Sequence, residues 1–283
     1  MKWQGRRRSP YFRGRRRSAA RLAGGIAGVG LIALLITDKF LGLSTSPFWQ
    51  STDRVSVTVN SEMQLTSADQ RVAVMVAAAL TDIEDVWANI FERDLGQTYQ
   101  PAALVLFKGT TTSACAGPRG AMGPYYCPAE RTVFMDTDFF TALENLLGAG
   151  DDLAVDYVVA HQVGHHVQNE LGILDQADRI RAEGGEAQSN AIALRIELQA
   201  DCLAGVWARA AQEQFDMLER GVIAGAINAV VRIGDQMLLP NATGQVQPES
   251  LAPGTPDQRQ RWFGRGYDSG DIGVCDTFAA DQL

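Results

Sequence analysis

The chain has three histidines, and all of them fall within six residues: His161, His165 and His166, in the run VVAHQVGHHVQ. His161 and His165 are four apart. On a helix that spacing is about 40° of rotation and roughly 6 Å of rise. Both rings then leave one face and can hold a single tetrahedral ion. His166 is turned about 100° from its neighbour and is a poor third ligand. The bland alternative is a chance spacing on a solvated face. The clustering, the apolar approach through Leu153, Val155, Val158, Val159 and Ala160, and Gly164 all argue against it. A buried polar pair is costly unless something satisfies it, and a metal does. Glycine inside a helix costs roughly 1 kcal/mol, so Gly164 implies a close backbone approach.

With no further histidine, a carboxylate must complete the shell. The stretch Arg195-Ile196-Glu197-Leu198-Gln199-Ala200-Asp201 offers two, four apart, beside an apolar stripe of Ile192, Ile196, Leu203 and Trp207. One can ligate while the other accepts a hydrogen bond from a ligand imidazole and fixes its tautomer. The competing reading is a solvated acidic face next to Arg195.

These groups need helices to position them, and the pattern supplies several. Ser67 is a candidate N-cap with Gln70 three residues on. Apolar residues then recur at Val72, Val76, Ala79, Leu80, Ile83, Val86, Trp87 and Ile90, predicting a helix from Ser67 to about Leu95. Ala103 to Phe107 and Thr132 to Asp136 read as short strands. Phe139 to Leu147 reads as a short helix. A longer helix, capped by Asp151 or Asp152, runs to about Leu171. Residues 172–187 are polar and contain glycine, hence loop-like. Further helices are expected over Ser189–Gln212 and Phe215–Val231. Thr255-Pro256-Asp257-Gln258 marks a helix start: Thr as N-cap, Pro in the first turn, Gln at the third position. Helices dominate, with a few strands in the first half, which is α+β.

The 283 residues have a hydrophobic fraction of 46%, enough for a real core. Net charge is -8, but residues 1–21 hold nine Lys or Arg and no acid. The 16 basic residues that remain face 33 acidic ones. Such an acidic body is a poor nucleic-acid binder. The basic tail precedes an uncharged run over residues 22–37, LAGGIAGVGLIALLIT. It is slightly short of the roughly 20 residues of a spanning helix, but Arg21 and Lys39 can snorkel to extend it. A cleaved signal peptide needs a small-x-small site, and Asp38-Lys39-Phe40-Leu41 is a poor one. A core helix would not follow nine cations. The expected organisation is a cytoplasmic basic tail (1–21), a single membrane anchor (22–37), a polar linker (38–55) and an extracytoplasmic domain (56–283).

Four cysteines fit an oxidising compartment. Cys115 and Cys127 bracket a Gly/Pro-rich stretch, where a bridge would contribute roughly 3 kcal/mol in the chain-entropy picture. Cys202–Cys275 would then tie the C-terminus to a central helix. The alternative is four buried free thiols. No C-x-x-C spacing points to a Cys-ligated zinc.

The segments AHQVGHHVQNELG, ELQADCLAGVWA and AMGPYYCPAERTVFMDTDFF resemble the bacterial neutral zinc metallopeptidases, which belong among the zincins. The opening MKWQGRR, the apolar segment and the closing TPDQRQRWFGRGYDSGDIGVCDTF are similar to that family too, so the likeness spans the chain. It implies a mainly helical zincin-like domain with a small sheet, behind one N-terminal transmembrane helix. It also implies Zn2+ held by His161, His165 and Glu197, with Asp201 as the outer partner, and a peptide or protein as substrate or ligand.

One residue departs from the family motif HExxH: Gln162 stands where the glutamate belongs. That glutamate is the general base, taking a proton from the attacking water and returning it to the leaving amine. A Gln amide hydrogen-bonds but accepts no proton near neutral pH. Loss of a general base costs on the order of a hundred- to ten-thousand-fold. Zinc alone still brings the pKa of water to about 7, which leaves room for residual hydrolysis. The reading is therefore a membrane-anchored metallopeptidase with impaired hydrolysis. The alternative is a zinc-binding pseudoenzyme that holds peptides or scaffolds the cell envelope. A replacement base such as Glu170 or Glu130, or a deliberate substitution, would also account for Gln162. Weaker features are Tyr125, Tyr126 and Tyr157, as oxyanion donors or structural side chains, Thr132–Asp136, as a strand that a peptide joins or an internal strand, and an acceptor pattern for glycosylation at Asn241-Ala242-Thr243.

Overall fold

A computed structural model describes residues 57–59, 66–118, 120–147, 152–215, 225–231 and 254–283. They belong to one compact unit, Arg54–Leu283. The basic tail, the 22–37 segment, the linker and Asn241–Thr243 lie outside the described residues. Among the described residues no helix is long and apolar enough to cross a membrane.

The first helix, α1 (Ser67–Ile90), is capped by Thr66, one residue before the expected Ser67. Asp69 N donates to the Thr66 hydroxyl, and Thr66 N donates back to the Asp69 carboxylate at 2.8 Å. Asp69 therefore closes the capping box, in place of the expected Gln70. The predicted apolar stripe is buried, and a π-turn at Phe91–Leu95 ends the helix at Gly96, whose φ is 62°.

Four strands form one sheet in the order β1-β2-β4-β3: β1 (Val57–Val59), β2 (Ala103–Phe107), β3 (Tyr125–Cys127) and β4 (Thr132–Asp136). β1, β2 and β4 run parallel, and β3 pairs antiparallel with β4. β2 and β4 match the predicted strands, whereas β1 and β3 had no strand assignment. β4 lies between two neighbours and is buried at every position. Its backbone edges are used on both sides, so it is an internal strand and a peptide cannot add there.

α2 (Thr137–Leu147) follows β4 without a linker, two residues earlier than predicted. α3 (Asp152–Glu170) carries the histidines, and every residue from Leu153 to Gln168 is buried. A helix covered all round is the centre of its domain. α3 packs on α1, α5 and the β3–β4 side of the sheet.

Residues expected to be a loop form α4 (Ile173–Glu183). The helix is polar, with only Leu174 and Ala177 fully buried, so its inward face is too narrow to stand out as a period. α5 (Glu186–Phe215) is longer than predicted at both ends. Residues 225–231 are helical, within the predicted Phe215–Val231. α6 (Pro256–Ser269) begins as expected, with Thr255 and Gln258 closing a capping box. The molecule is thus mainly helical with a small mixed sheet, an α+β architecture.

Glycines set the helix crossings. A Cβ on Gly164 would lie 2.8 Å from the Ala200 carbonyl oxygen, so α3 and α5 meet backbone to backbone there. That contact is the close approach Gly164 implied. Gly205 and Gly266 do the same between α5 and α6, where added Cβ atoms would strike Phe263 O and Cys202 O. Both disulfides, Cys115–Cys127 and Cys202–Cys275, are formed, with Cα separations of 5.6 and 5.4 Å. The second ties the 3-10 turn Ile272–Cys275, which follows α6, to α5.

Candidate metal centre

The Gly164–Ala200 crossing brings Glu197, three residues before Ala200, and Asp201, the residue after it, onto the histidine face of α3. His161, His165 and Glu197 each offer one ligand atom, all within 4.8 Å of one another and fully buried. The rings of His161 and His165 stand 4.8 Å apart at 86°. Glu197 Oε2 lies 3.2 Å from His161 Nε2, and Oε1 lies 3.4 Å from His165 Nε2. Ligands on a tetrahedral zinc with bonds of about 2.0–2.1 Å are separated by roughly 3.3–3.4 Å. The two histidine–carboxylate contacts, one to each Glu197 oxygen, are of that length, and the three ligand atoms together lie within 4.8 Å.

Proton bookkeeping says why an ion belongs there. Asp201 Oδ1 lies 2.9 Å from His161 Nδ1 and also accepts from Tyr157 OH at 2.7 Å. Arg259 Nε donates to Asp201 Oδ2 at 2.7 Å, and Nη2 donates to Oδ1 at 3.0 Å. A carboxylate so surrounded is ionised: burial pushes its pKa up, but Arg259 and His161 pull it well below the usual range. The proton in the His161–Asp201 bond therefore sits on Nδ1, and Nε2 turns a lone pair towards Glu197. His165 is held the same way. Its Nδ1 lies 2.9 Å from Gln168 Oε1. The amide's orientation follows from its Nε2, which donates to Ile196 O at 2.8 Å and Gln199 Oε1 at 3.0 Å. Two lone pairs thus converge on a carboxylate whose Oε1 has no hydrogen-bond donor. Acceptors facing acceptors in a buried core need a cation.

His166 is committed elsewhere. Its Nε2 donates to Gln100 O at 2.6 Å, and its Nδ1 accepts from Tyr126 OH at 2.9 Å. Burial lowers its pKa. The three tyrosines weighed as oxyanion donors are engaged too: Tyr125 OH with Ser113, Tyr126 with His166, and Tyr157 with Asp201. Glu170 pairs with Arg131, and Glu130 accepts from Ala114 N. Neither belongs to the ligand cluster. Gln162 is fully buried, and neither its Oε1 nor its Nε2 has a hydrogen-bond partner.

Two residues of the site are not evident from the sequence alone. Gln168 sits three positions after His165, in the same motif. Arg259 had a visible sign: it heads the buried α6 stripe of Trp262, Phe263, Gly266 and Tyr267. A cation at the start of an apolar stripe requires a buried anion.

Comparison with known proteins places this chain in a family. YpfJ of Escherichia coli K12, described as an uncharacterized protein, is 37% identical over 287 residues, covering 98% of this chain and 99% of its own. Mb2605 of Mycobacterium bovis, described likewise, is 38% identical over 226 residues, covering 76% of this chain and 74% of its own. No solved structure matches. The family model described as "Putative neutral zinc metallopeptidase" matches residues 1–278, and the chain belongs to that family.

Proposed function

We propose that the chain is a zincin-like, membrane-anchored zinc protein of metallopeptidase descent whose peptide hydrolysis is impaired by Gln162. His161, His165 and Glu197 hold the ion. The convergence of two imidazole lone pairs on a carboxylate whose Oε1 has no hydrogen-bond partner carries this reading. A zinc bound there supplies Lewis acidity, polarising a peptide carbonyl and bringing the pKa of a water to about 7. The rest falls to the chain. Asp201 holds the proton on His161 Nδ1, and Gln168 holds the one on His165 Nδ1, so both rings keep a fixed tautomer. Arg259 balances the Asp201 charge. Gln162 can hydrogen-bond a bound peptide or water but takes no proton from either.

That last property favours a second reading, a zinc-binding module that grips peptides at the envelope without cutting them. The orphaned Gln162 amide supports it. In both readings residues 1–21 stay in the cytoplasm, 22–37 anchor the chain and 38–55 link it to the extracytoplasmic domain 56–283. Two disulfides suit that oxidising side.

Peptide cleavage by the purified full-length chain, with and without chelator, separates the two. Turnover abolished by chelator supports the enzyme; zinc without turnover supports the module. Gln162→Glu raises turnover at least about a hundredfold if the site is otherwise competent. Metal analysis tests the ligand set itself. His161→Ala and His165→Ala lose zinc, and Glu197→Ala loses more than Asp201→Ala; the opposite order overturns the assignment of ligand and outer partner.

A further inference from the structure

Residue 162 sets the charge of the centre. Asp201 and Arg259 cancel each other in a bonded, fully buried pair. Glu197 contributes one negative charge, so a divalent cation leaves the site one unit positive. A glutamate at 162 would neutralise it, and glutamine does not. A net positive charge in a buried site is costly until an anion joins it.

Gln162 also says what kind of anion. It follows His161 directly and lies about 60° round α3 from His165, flanking the metal-facing pair. Its amide is fully buried, with Nε2 lacking an acceptor and Oε1 lacking a donor. An amide edge of that kind matches a partner with an acceptor and a donor side by side. The last residue of a peptide has both: a carboxylate that accepts and an N–H that donates.

We propose that this centre binds the free C-terminal carboxylate of a peptide, with Gln162 Nε2 donating to that carboxylate. The inference rests on the metal reading above and names its ligand class. The Gln that removes the general base thereby creates a carboxylate receptor, because it replaces a repelling charge with a donor.

The test is calorimetric titration of the zinc-loaded, full-length protein with acetyl-Ala-Ala as free acid, with the same peptide as its C-terminal amide, and with acetate. The free acid binds at least about tenfold tighter than the amide, as a charge-assisted hydrogen bond predicts. Gln162→Glu and Gln162→Ala, each still carrying one zinc per chain, both lower the free-acid affinity about tenfold or more, and Glu does so more than Ala. Equal affinity for acid and amide, or an unchanged preference in both variants, overturns the proposal. Acetate binding as tightly as the free acid overturns the peptide assignment. A wild-type chain that takes up no zinc overturns the metal reading instead, so the two failures are told apart.

Discussion

Arg259 donates to both oxygens of Asp201 in a part of the core where neither side chain is exposed. Its Nη2 also lies 3.2 Å from His161 Nδ1 and 3.4 Å from Nε2, across the ring edge and not aligned on one nitrogen. The guanidinium therefore acts on the ring mainly through Asp201. The C-terminal helix α6 thus completes a site otherwise built from α3 and α5.

Arg259→Ala leaves the Asp201 carboxylate buried without its counter-charge. Breaking a buried pair from one side costs about 3–5 kcal/mol. Because Asp201 orients His161, zinc affinity should also fall about 10- to 100-fold. Denaturant unfolding and a chelator competition read the two effects. Arg259→Lys keeps the charge but loses the fork, so it should fall between wild type and Ala. Wild-type zinc affinity in Arg259→Ala would sink the idea that α6 serves the centre.

Gly164→Ala tests the crossing that delivers Glu197. The new methyl would stand 2.8 Å from Ala200 O and 3.1 Å from Ala200 Cα, both backbone atoms that cannot swing away. Alanine's helix propensity returns about 1 kcal/mol. Overpacking at a backbone contact costs more, typically about 1–3 kcal/mol. The variant should be less stable and hold zinc more weakly, since α5 must move off α3 beside Glu197. A gain in thermal stability would show that the helices yield freely there.

Glu84 should give the domain a pH dependence of its own. It lies buried on α1, where Oε1 accepts from Ala102 N at 3.2 Å. Burial pushes its pKa up to about 8, Ala102 N and Tyr99 pull the other way, and Asp85 and Glu170 add smaller upward pushes. Its folded pKa thus exceeds the unfolded value of about 4.3. The folded state keeps a proton that the unfolded state loses, so stability falls as pH rises between those two values and levels off above about 8. Glu84→Gln keeps an acceptor for Ala102 N and removes the titration. Unfolding at pH 5 and pH 8 should show the variant flatter than wild type, and more stable at pH 8 by a few kcal/mol. Parallel profiles in both proteins would place the pH dependence elsewhere.

The sequence exposed the parts of this site that obey a local rule. His161 and His165 one turn apart are readable because a helix has a fixed period. Thr255-Pro256-Asp257-Gln258 is readable because a capping box is a four-residue object. The Gly164 contact was inferred, but its partner Ala200 was not, because which backbone fills the space is a tertiary fact. Arg259 lies 98 residues from His161 in sequence. No spacing joins them, and only the apolar stripe behind Arg259 hints at its burial. α4 was hidden for a different reason: two buried positions are too few to show a helical period against a polar composition.

Breaking the Cys202–Cys275 bridge should loosen the same connection between the C-terminus and the centre. Cys202 follows Asp201 directly, and Cys275 lies beyond the helix that carries Arg259. The bridge spans 73 residues, which corresponds to about 4 kcal/mol in the chain-entropy picture. Further bonds hold the tail down: Gln199 Nε2 donates to Cys275 O, and Thr277 Oγ1 donates to Arg195 O. Replacing both cysteines by alanine should therefore lower stability by about 2–5 kcal/mol without unseating the segment entirely. Zinc affinity should drop with it, because α6 then holds Arg259 against Asp201 less firmly. The Cys115–Cys127 pair is a control. It closes a loop over a separate small cluster of Phe107, Ala121, Tyr125 and Phe134. Its removal should cost stability of about 3 kcal/mol or less and leave zinc affinity unchanged. If the two double variants lost zinc affinity equally, general destabilisation would account for both, and the bridge would have no particular hold on the metal centre.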